Sequence, residues 1–483
     1  MITRTGCKCG RFGFISISSL RCHNCLLYRN RKIGSQKEKK ENGFFFTNFI
    51  SYYQLTCMKK IALLLLLAMV MGNKCANAQA TQKSNPVHVK LQADKDNAGL
   101  KLSPGFGAIK IAGSLGPTRH IAVTEQGDIY AKLLQTKGGK GILFLHNGKV
   151  TNSFGNYDGT GIAIKNGYLF ASSDEDVYRY RLDATGKVVD PNQPERIITG
   201  LLSRREHSSK SIALDNDGNI YVNIGAYSNS CQEIDRSKGS MGRTPCPILD
   251  SAGDIWQFKA DKLNQTYANG VRYATGLRNV VGLDWNTDEN QLFVMMHGRD
   301  QLHDLFPDLY DDKRSAELPA ETMYALHKGS DCGWPYIYYD QLQHKKILAP
   351  EYGGDGKKPG GEKAQDPIVA FPGHLAPNGL LFYTGNMFPE RYKHGAFIAF
   401  HGSWNRAPEK QKGYLVAFVP FSNGKPSGEW EVFADNFAGT REISYPSEAK
   451  HRPCGLAQGP DGSLYVSDDV NGTIYRIIYT RKS

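Results

Sequence analysis

After residue 115 the chain repeats one pattern six times: an alternating apolar run, a tight turn, and a second alternating run. The copies are IAVTEQGDIYAK from Ile121, GIAIKNGYLFAS from Gly161, SIALDNDGNIYVNIG from Ser211, VGLDWNTDENQLFVMMHG from Val281, GLLFYTGNMFPERYKHGAFIAFHG from Gly379 and GLAQGPDGSLYVSDD from Gly455. Period-two alternation across a Gly- or Asn-bearing turn predicts a β-hairpin. Several copies are followed by a third run with an aromatic at its heart: VYRYRLD at 177, DIWQFKAD at 254, YLVAFVPF at 414 and TIYRIIY at 473. Each unit is therefore a small antiparallel sheet. Such a sheet cannot bury both faces alone, and stacking the units into a closed ring leaves only short edges. The expectation is an all-β chain, a six-bladed β-propeller.

The turn residues fall at Gly127, Gly167, Gly218, Asn290, Gly395 and Gly462, so the spacing is uneven. Long loops at 226–253, 297–320 and 340–375 take up the difference, and they carry Cys, Trp, Asp and Gly rather than plain linker composition. Loops beyond about 12–15 residues are usually functional or disordered. These are expected to build one face of the propeller.

A net charge of +12 invites a nucleic-acid partner, but the excess is local. Residues 1–78 hold 13 Lys and Arg against 2 Asp and Glu; subtracting these from 59 and 47 leaves 46 basic and 45 acidic residues. A nearly neutral body cannot displace counterions from a phosphate backbone, which argues against nucleic acid. MKKIALLLLLAMVMGNKCANA from Met58 has a basic start, a short apolar core and a small-x-small end at Ala76-Asn77-Ala78. This reads as an export signal over 58–78, and its apolar core is too short for a bilayer of about 30 Å, so no stable membrane anchor is expected. A periplasmic or secreted protein follows. Cys7, Cys9, Cys22, His23 and Cys25 mimic a zinc set. Ligands upstream of an export signal would have no compartment to work in, so 1–57 reads as an over-extended start or disordered leader. The body, 79–483, is expected to be a single propeller. It keeps Cys231, Cys246, Cys332 and Cys454; a bridge between Cys231 and Cys246 closes the shortest loop, and a pair between Cys332 and Cys454 is what remains.

The chain has no Gly-rich phosphate loop after a strand, no G-x-S-x-G elbow and no C-x-x-C-H haem signature. Polar residues instead stand just ahead of the hairpins, where propeller loops turn towards the axis: His207 before the third, Arg278-Asn279 before the fourth, His374 before the fifth and His451-Arg452 before the sixth. Neutral imidazole can take a proton, and guanidinium can hold carboxylates or a developing oxyanion. Together they suit oxidation of an alcohol with an acidic cofactor.

The strings EHSSKSIALDNDGNIYVNIGA from Glu206, GLRNVVGL from Gly276, HGRD from His297, GSDCGWPY from Gly329, HGSWNR from His401 and RPCGLAQGPDGSLYVSDD from Arg452 resemble the glucose/sorbosone dehydrogenase family, above all its sorbosone dehydrogenase-like branch. The resemblance covers 100–480. It implies a six-bladed propeller that oxidises a sugar, polyol or sugar aldehyde with pyrroloquinoline quinone (PQQ) and calcium, and that passes electrons to a separate acceptor such as a cytochrome or a quinone. By the same resemblance His207 is the general base, Arg278 polarises the quinone carbonyl, and Asn279, Arg452, Lys450 and Arg406 hold the cofactor. Gly298 and Arg299 align with the stretch whose backbone carbonyls bind calcium, an ion that prefers hard oxygen ligands. Two departures stand out. Ala226 occupies the place of an Asp that orients the base, and Asp158-Gly-Thr-Gly161 replaces a Gln near the substrate. A missing carboxylate can weaken the base, so two competing readings remain: a catalytically silent propeller that binds glycan or protein, and a calcium-dependent lactonase-type hydrolase.

Overall fold

The computed structural model describes residues 91–480; the leader, the export segment and the cysteines of 7–25 lie outside them. Six antiparallel sheets of four principal strands form the ring. The first blade runs Thr118–Val123, Ile129–Lys137, Lys140–His146 and Lys149–Phe154, and the second Ile162–Lys165, Tyr168–Ser172, Val177–Arg181 and Glu195–Ile198. The third blade holds Ile212–Leu214, Asn219–Ile224, Asp254–Lys259 and Val271–Thr275, and the fourth Val280–Asn286, Gln291–Met296, Glu321–Leu326 and Val369–Phe371. The fifth comprises Pro377–Phe382, Ala396–Phe400, Leu415–Val419 and Glu431–Asp435. The sixth joins Pro453–Gln458, Leu464–Asp468 and Ile474–Tyr479 to Phe106–Ala112 from the other end of the described chain. Phe106 pairs with Tyr479 in this closing register. The six expected hairpins are thus the first two strands of the six blades, and the aromatic third runs are the third strands.

Blade-on-blade packing explains the composition. A second strand is covered on both faces by its neighbours, so Asn219–Ile224 and Ala396–Phe400 are buried at every position. Aromatic rings fill the wedge between the fifth and sixth blades: Phe106 meets Phe388, Phe433 and Tyr392 edge-on with centroids 4.8–5.2 Å apart, a favoured geometry. Gly395 departs from expectation. It sits at the end of a longer connection, where an added Cβ would lie 2.4 Å from the Phe418 ring, so glycine is required there by close approach.

Three insertions interlock on the face where the first strands begin and the second strands end. The loop after Ile224 carries the Cys231–Cys246 disulfide. The loop after Met296 carries the short helices Leu302–Leu305 and Asp312–Glu317. The segment after Leu326 climbs the outside of the third blade, pairing Ser330 with Ala274 in parallel, and ends in the hairpin Ile337–Asp340/Lys345–Leu348. Trp334 Nε1 donates to Asn229 O at 3.0 Å, Ser230 Oγ donates to Glu351 Oε1 at 2.8 Å and Tyr352 Oη donates to Ser230 O at 3.1 Å. Cys332 and Cys454 do not pair. Both are buried free thiols, one beside the third blade and the other in the first strand of the sixth. Among the described residues no helix is long and apolar enough to cross a membrane.

Candidate active site

The first strands of all six blades line an axial channel of about 260 Å³, with His120, Ile162, Ala213, Asp284, Leu380 and Leu456 on its walls. Its lining runs to Lys165 and Thr287 at the far ends of the first strands, whereas the candidate site caps the opposite end of the axis, the mouth on the insertion-bearing face. His207 reaches the mouth from the loop ahead of the third blade, with φ 53°, a conformation costly for a residue with a Cβ. Gly225 makes room for it: a Cβ there would sit 2.5 Å from His207 Cβ and 3.1 Å from Asn279 Oδ1. His207 Nδ1 lies 2.5 Å from the carbonyl oxygen of Ala226. A carbonyl only accepts, so Nδ1 carries the proton and Nε2 presents a lone pair. The backbone of Ala226 therefore orients the imidazole where a carboxylate side chain is missing. Burial, and then the Arg278 guanidinium, pull the His207 pKa down to about 4, which keeps the ring neutral.

Arg278 is held by three acceptors: Asn229 O at 3.2 Å, Gly298 O at 2.8 Å and Asp300 Oδ2 at 2.7 Å. Guanidinium has five N–H groups, so two remain for a ligand. Asn279 is buried, and its Oδ1 has no hydrogen-bond partner among the described residues. His297, the last neighbour on this side, hydrogen-bonds Pro377 O at 3.2 Å, and burial together with His207 and Arg278 lowers its pKa to about 3.

Asp300 is the hub that the sequence reading passed over. Its Oδ2 accepts from Arg278 and Arg236, its Oδ1 accepts from Asn405 Nδ2 at 3.2 Å, and its backbone exchanges two hydrogen bonds with the Asn229 side chain at 2.8 and 3.0 Å. Burial opposes its charge, but Arg278, His374 and Arg236 hold its carboxyl well below the usual range. It stands inside the HGRD string, so a signal was present. Glu321 was missed as well. This buried side chain accepts from Gly298 N at 3.0 Å and Ala376 N at 3.2 Å, and burial raises its pKa to about 7.

The other predicted residues divide. Arg452 sits at the mouth of the sixth blade, donating from Nε to His401 O at 3.1 Å and from Nη2 to Gly402 O. His401 Nε2 in turn bonds Asp469 Oδ1 at 2.7 Å, and Arg119 Nη1 holds the other oxygen at 2.8 Å. Lys450 lies two residues earlier with an exposed side chain. Arg406 stands apart. It is 2% exposed and spends four donors on Ala316 O, Gly373 O, Lys410 O and Glu317, so it braces the fourth and fifth blades. Gly298 offers its carbonyl to Arg278, whereas the Arg299 side chain turns into a buried pair with Glu351. His374 is occupied at both nitrogens, by Ser315 O and Leu318 O at Nε2 and by Asn405 at Nδ1. His451 Nδ1 is bound to Asp468 at 2.8 Å. Of the histidines ahead of the hairpins, His207 and His451 each keep Nε2 without a hydrogen-bond partner among the described residues, and the pKa of His207 is pulled down by burial and then by the Arg278 guanidinium.

The fold and this mouth define a class: six-bladed propellers that carry a His/Arg site on long loops at one end of the channel. The chain belongs to the TrAA12-like family, whose family model matches residues 100–340 and 345–480. It is 30% identical over 209 residues to an uncharacterized protein of Borreliella burgdorferi, a match covering 43% of this chain and 48% of that protein, so the chain spans about half of that relative. It is 22% identical over 360 residues to the pyrroloquinoline quinone-dependent sugar dehydrogenase of Hypocrea jecorina, covering 71% of this chain and 78% of the relative. Among solved structures, the calcium structure of the Trichoderma reesei carbohydrate-active enzyme of family AA12 superimposes with a TM-score of 0.63 at 19% identity, over 80% of this chain and 98% of that one.

Proposed function

We propose that the chain is an exported quinoprotein dehydrogenase that oxidises a sugar, polyol or sugar aldehyde. The observation that carries this reading is His207, locked by Ala226 O with its Nε2 lone pair available, beside an arginine with two unspent donors. The relatives from Hypocrea jecorina and Coprinopsis cinerea are named as PQQ-dependent sugar and pyranose dehydrogenases, and the chemistry of the mouth suits that group. PQQ is a planar tricarboxylate with a ring N–H: Arg278 and Arg452 would hold its carboxylates, and the partnerless amide oxygen of Asn279, which can only accept, would suit the ring N–H. When bound, PQQ supplies a two-electron acceptor for the hydride of a C–H bond. His207 Nε2 takes the proton of the substrate hydroxyl, and Arg278 stabilises negative charge across from it. Arg452 orients the acidic ligand, and Lys450 extends the basic edge. Calcium would draw on the carbonyl oxygens of Gly298 and Arg299; a carbonyl has two lone pairs, so the hydrogen bond from Arg278 leaves one for a cation. Electrons then pass to a separate cytochrome or quinone.

The test is a titration of apo-protein with PQQ and calcium, read by melting temperature and by dye reduction over a panel of aldoses. A ligand that binds only the native state adds RT ln(1 + [L]/Kd), about 2.7 kcal/mol at a hundredfold excess over Kd. The expected result is a joint rise in melting temperature and reduction of the dye. No rise with either ligand, alone or combined, overturns the reading in favour of a binding module.

A further inference from the structure

The disulfide loop sends one side chain to the site, and the reaction as described leaves that side chain without a role. Arg236 lies between Cys231 and Cys246 with φ 53°. Gln232, next to Cys231, fixes the loop: its Oε1 accepts from Arg236 N at 2.9 Å, and its Nε2 donates to Ser237 O and Ser240 O at 3.0 Å each. The guanidinium then spans two blades. It donates to Gln301 Oε1 at 2.9 Å, Asp300 Oδ2 at 3.1 Å and Glu206 Oε2 at 3.4 Å. Glu206 is the residue before His207, and Asp300 is the residue that grips Arg278.

We propose that Arg236, held in place by the Cys231–Cys246 bridge, is a positioning residue for His207, tying the loop that carries the base to the loop that anchors Arg278. This rests on the dehydrogenase reading for the role of His207 as base, but its test does not need the cofactor. The charged and titratable groups acting on His207 are Arg278 and Asp300 from the fourth blade, Arg236 from the disulfide loop and His297 at the end of the fourth blade's second strand; on its own loop Glu206 pairs with Arg236, and the Lys210 ammonium turns to Ser208 O. Removing Arg236 deletes one cation and releases the Glu206 carboxylate. Both changes favour the imidazolium, so the His207 midpoint rises.

The experiment is an NMR pH titration of histidine ring signals in cofactor-free protein, with His207 assigned through His207→Gln. Arg236→Ala is expected to raise the midpoint by on the order of one pH unit. Arg236→Lys, which keeps the charge, stays near wild type, and a Cys231→Ser/Cys246→Ser double variant follows Arg236→Ala. If Arg236→Ala does not fold, Arg236→Gln serves as the neutral variant. An unchanged midpoint in the neutral variant, or a wild-type midpoint without the disulfide, overturns the proposal. In the cofactor-loaded enzyme kcat falls about ten- to a hundredfold with KM nearly constant, and Arg236→Lys restores it; equal losses in the Ala and Lys variants count against the charge argument. Failure of PQQ to bind would sink the dehydrogenase reading while leaving the histidine titration intact.

Discussion

Between the first and second blades the mouth is walled by backbone, whereas between the third and fourth it is walled by side chains. On the first side a Cβ on Gly141 would lie 1.8 Å from Tyr157 O, and one on Gly159 2.2 Å from Ser172 O. Ser172 Oγ donates to Lys210 O at 2.5 Å. The buried Lys132 spends its ammonium on Tyr157 O at 2.8 Å and Gly141 O at 3.3 Å. On the second side long insertions carry Arg236, Arg278 and Asp300 into one charged network around His207. Short turns pack chain against chain and leave few side chains to spare; long loops can deliver several charges to one point. Chemistry is therefore expected to be lost on one side and stability on the other.

The largest effect should come from the side-chain wall. His207→Gln should lower turnover of the PQQ- and calcium-loaded protein by about 10²–10⁴-fold, measured by dye reduction, while PQQ affinity and melting temperature stay near wild type. Full activity would make His207 structural and remove the contrast. On the backbone wall Gly159→Ala should destabilise by about 2 kcal/mol, because Gly159 has φ 146° and the new methyl meets a backbone carbonyl. Urea unfolding midpoints measure it, and a neutral result would mean that this wall yields.

The smallest effects separate the walls by pH. Burial lowers the Lys132 pKa to about 7, so between about pH 7 and 10.5 the unfolded chain binds more protons at this site and stability rises with pH. Burial raises Glu321 to about 7, so between about pH 4.5 and 7 the folded chain binds more protons and stability falls as pH rises. Lys132→Met should flatten the first slope and Glu321→Gln the second, each measured as unfolding free energy against pH. A variant that alters the other window would show the two walls to be coupled.

The propeller was legible because hairpin periodicity is local: alternation and a turn residue suffice, as in IALDNDGNIYV, where Gly218 adopts φ 76°. Where the proposed site touches that repeat, the positions of His207, Arg278, Asn279 and Arg452 can be indexed by their offset from a strand. The site was not legible inside the insertions. Arg236 has no periodic neighbour to index it, and its partners Glu206 and Asp300 lie 30 and 64 residues away. Arg406 shows a related limit. Its string resembles a cofactor contact, but its environment is set by Ala316, Gly373 and Glu317, which sequence offset does not reveal. The expected pair of Cys332 and Cys454 failed similarly, since elimination says nothing about which blade a thiol belongs to.

The closure of the sixth blade has a consequence in time. Phe106–Ala112 finds its partner in Ile474–Tyr479, and the partner strand is made last. At about 5–20 residues per second, synthesis of the intervening chain occupies roughly 20–75 s. Throughout that interval the early strand has no ladder partner, since Ile474–Tyr479 is its one sheet neighbour among the described residues, the condition under which strands pair with the wrong chain. The closure that leaves only short outer edges in the finished ring thus sets the length of its most vulnerable moment.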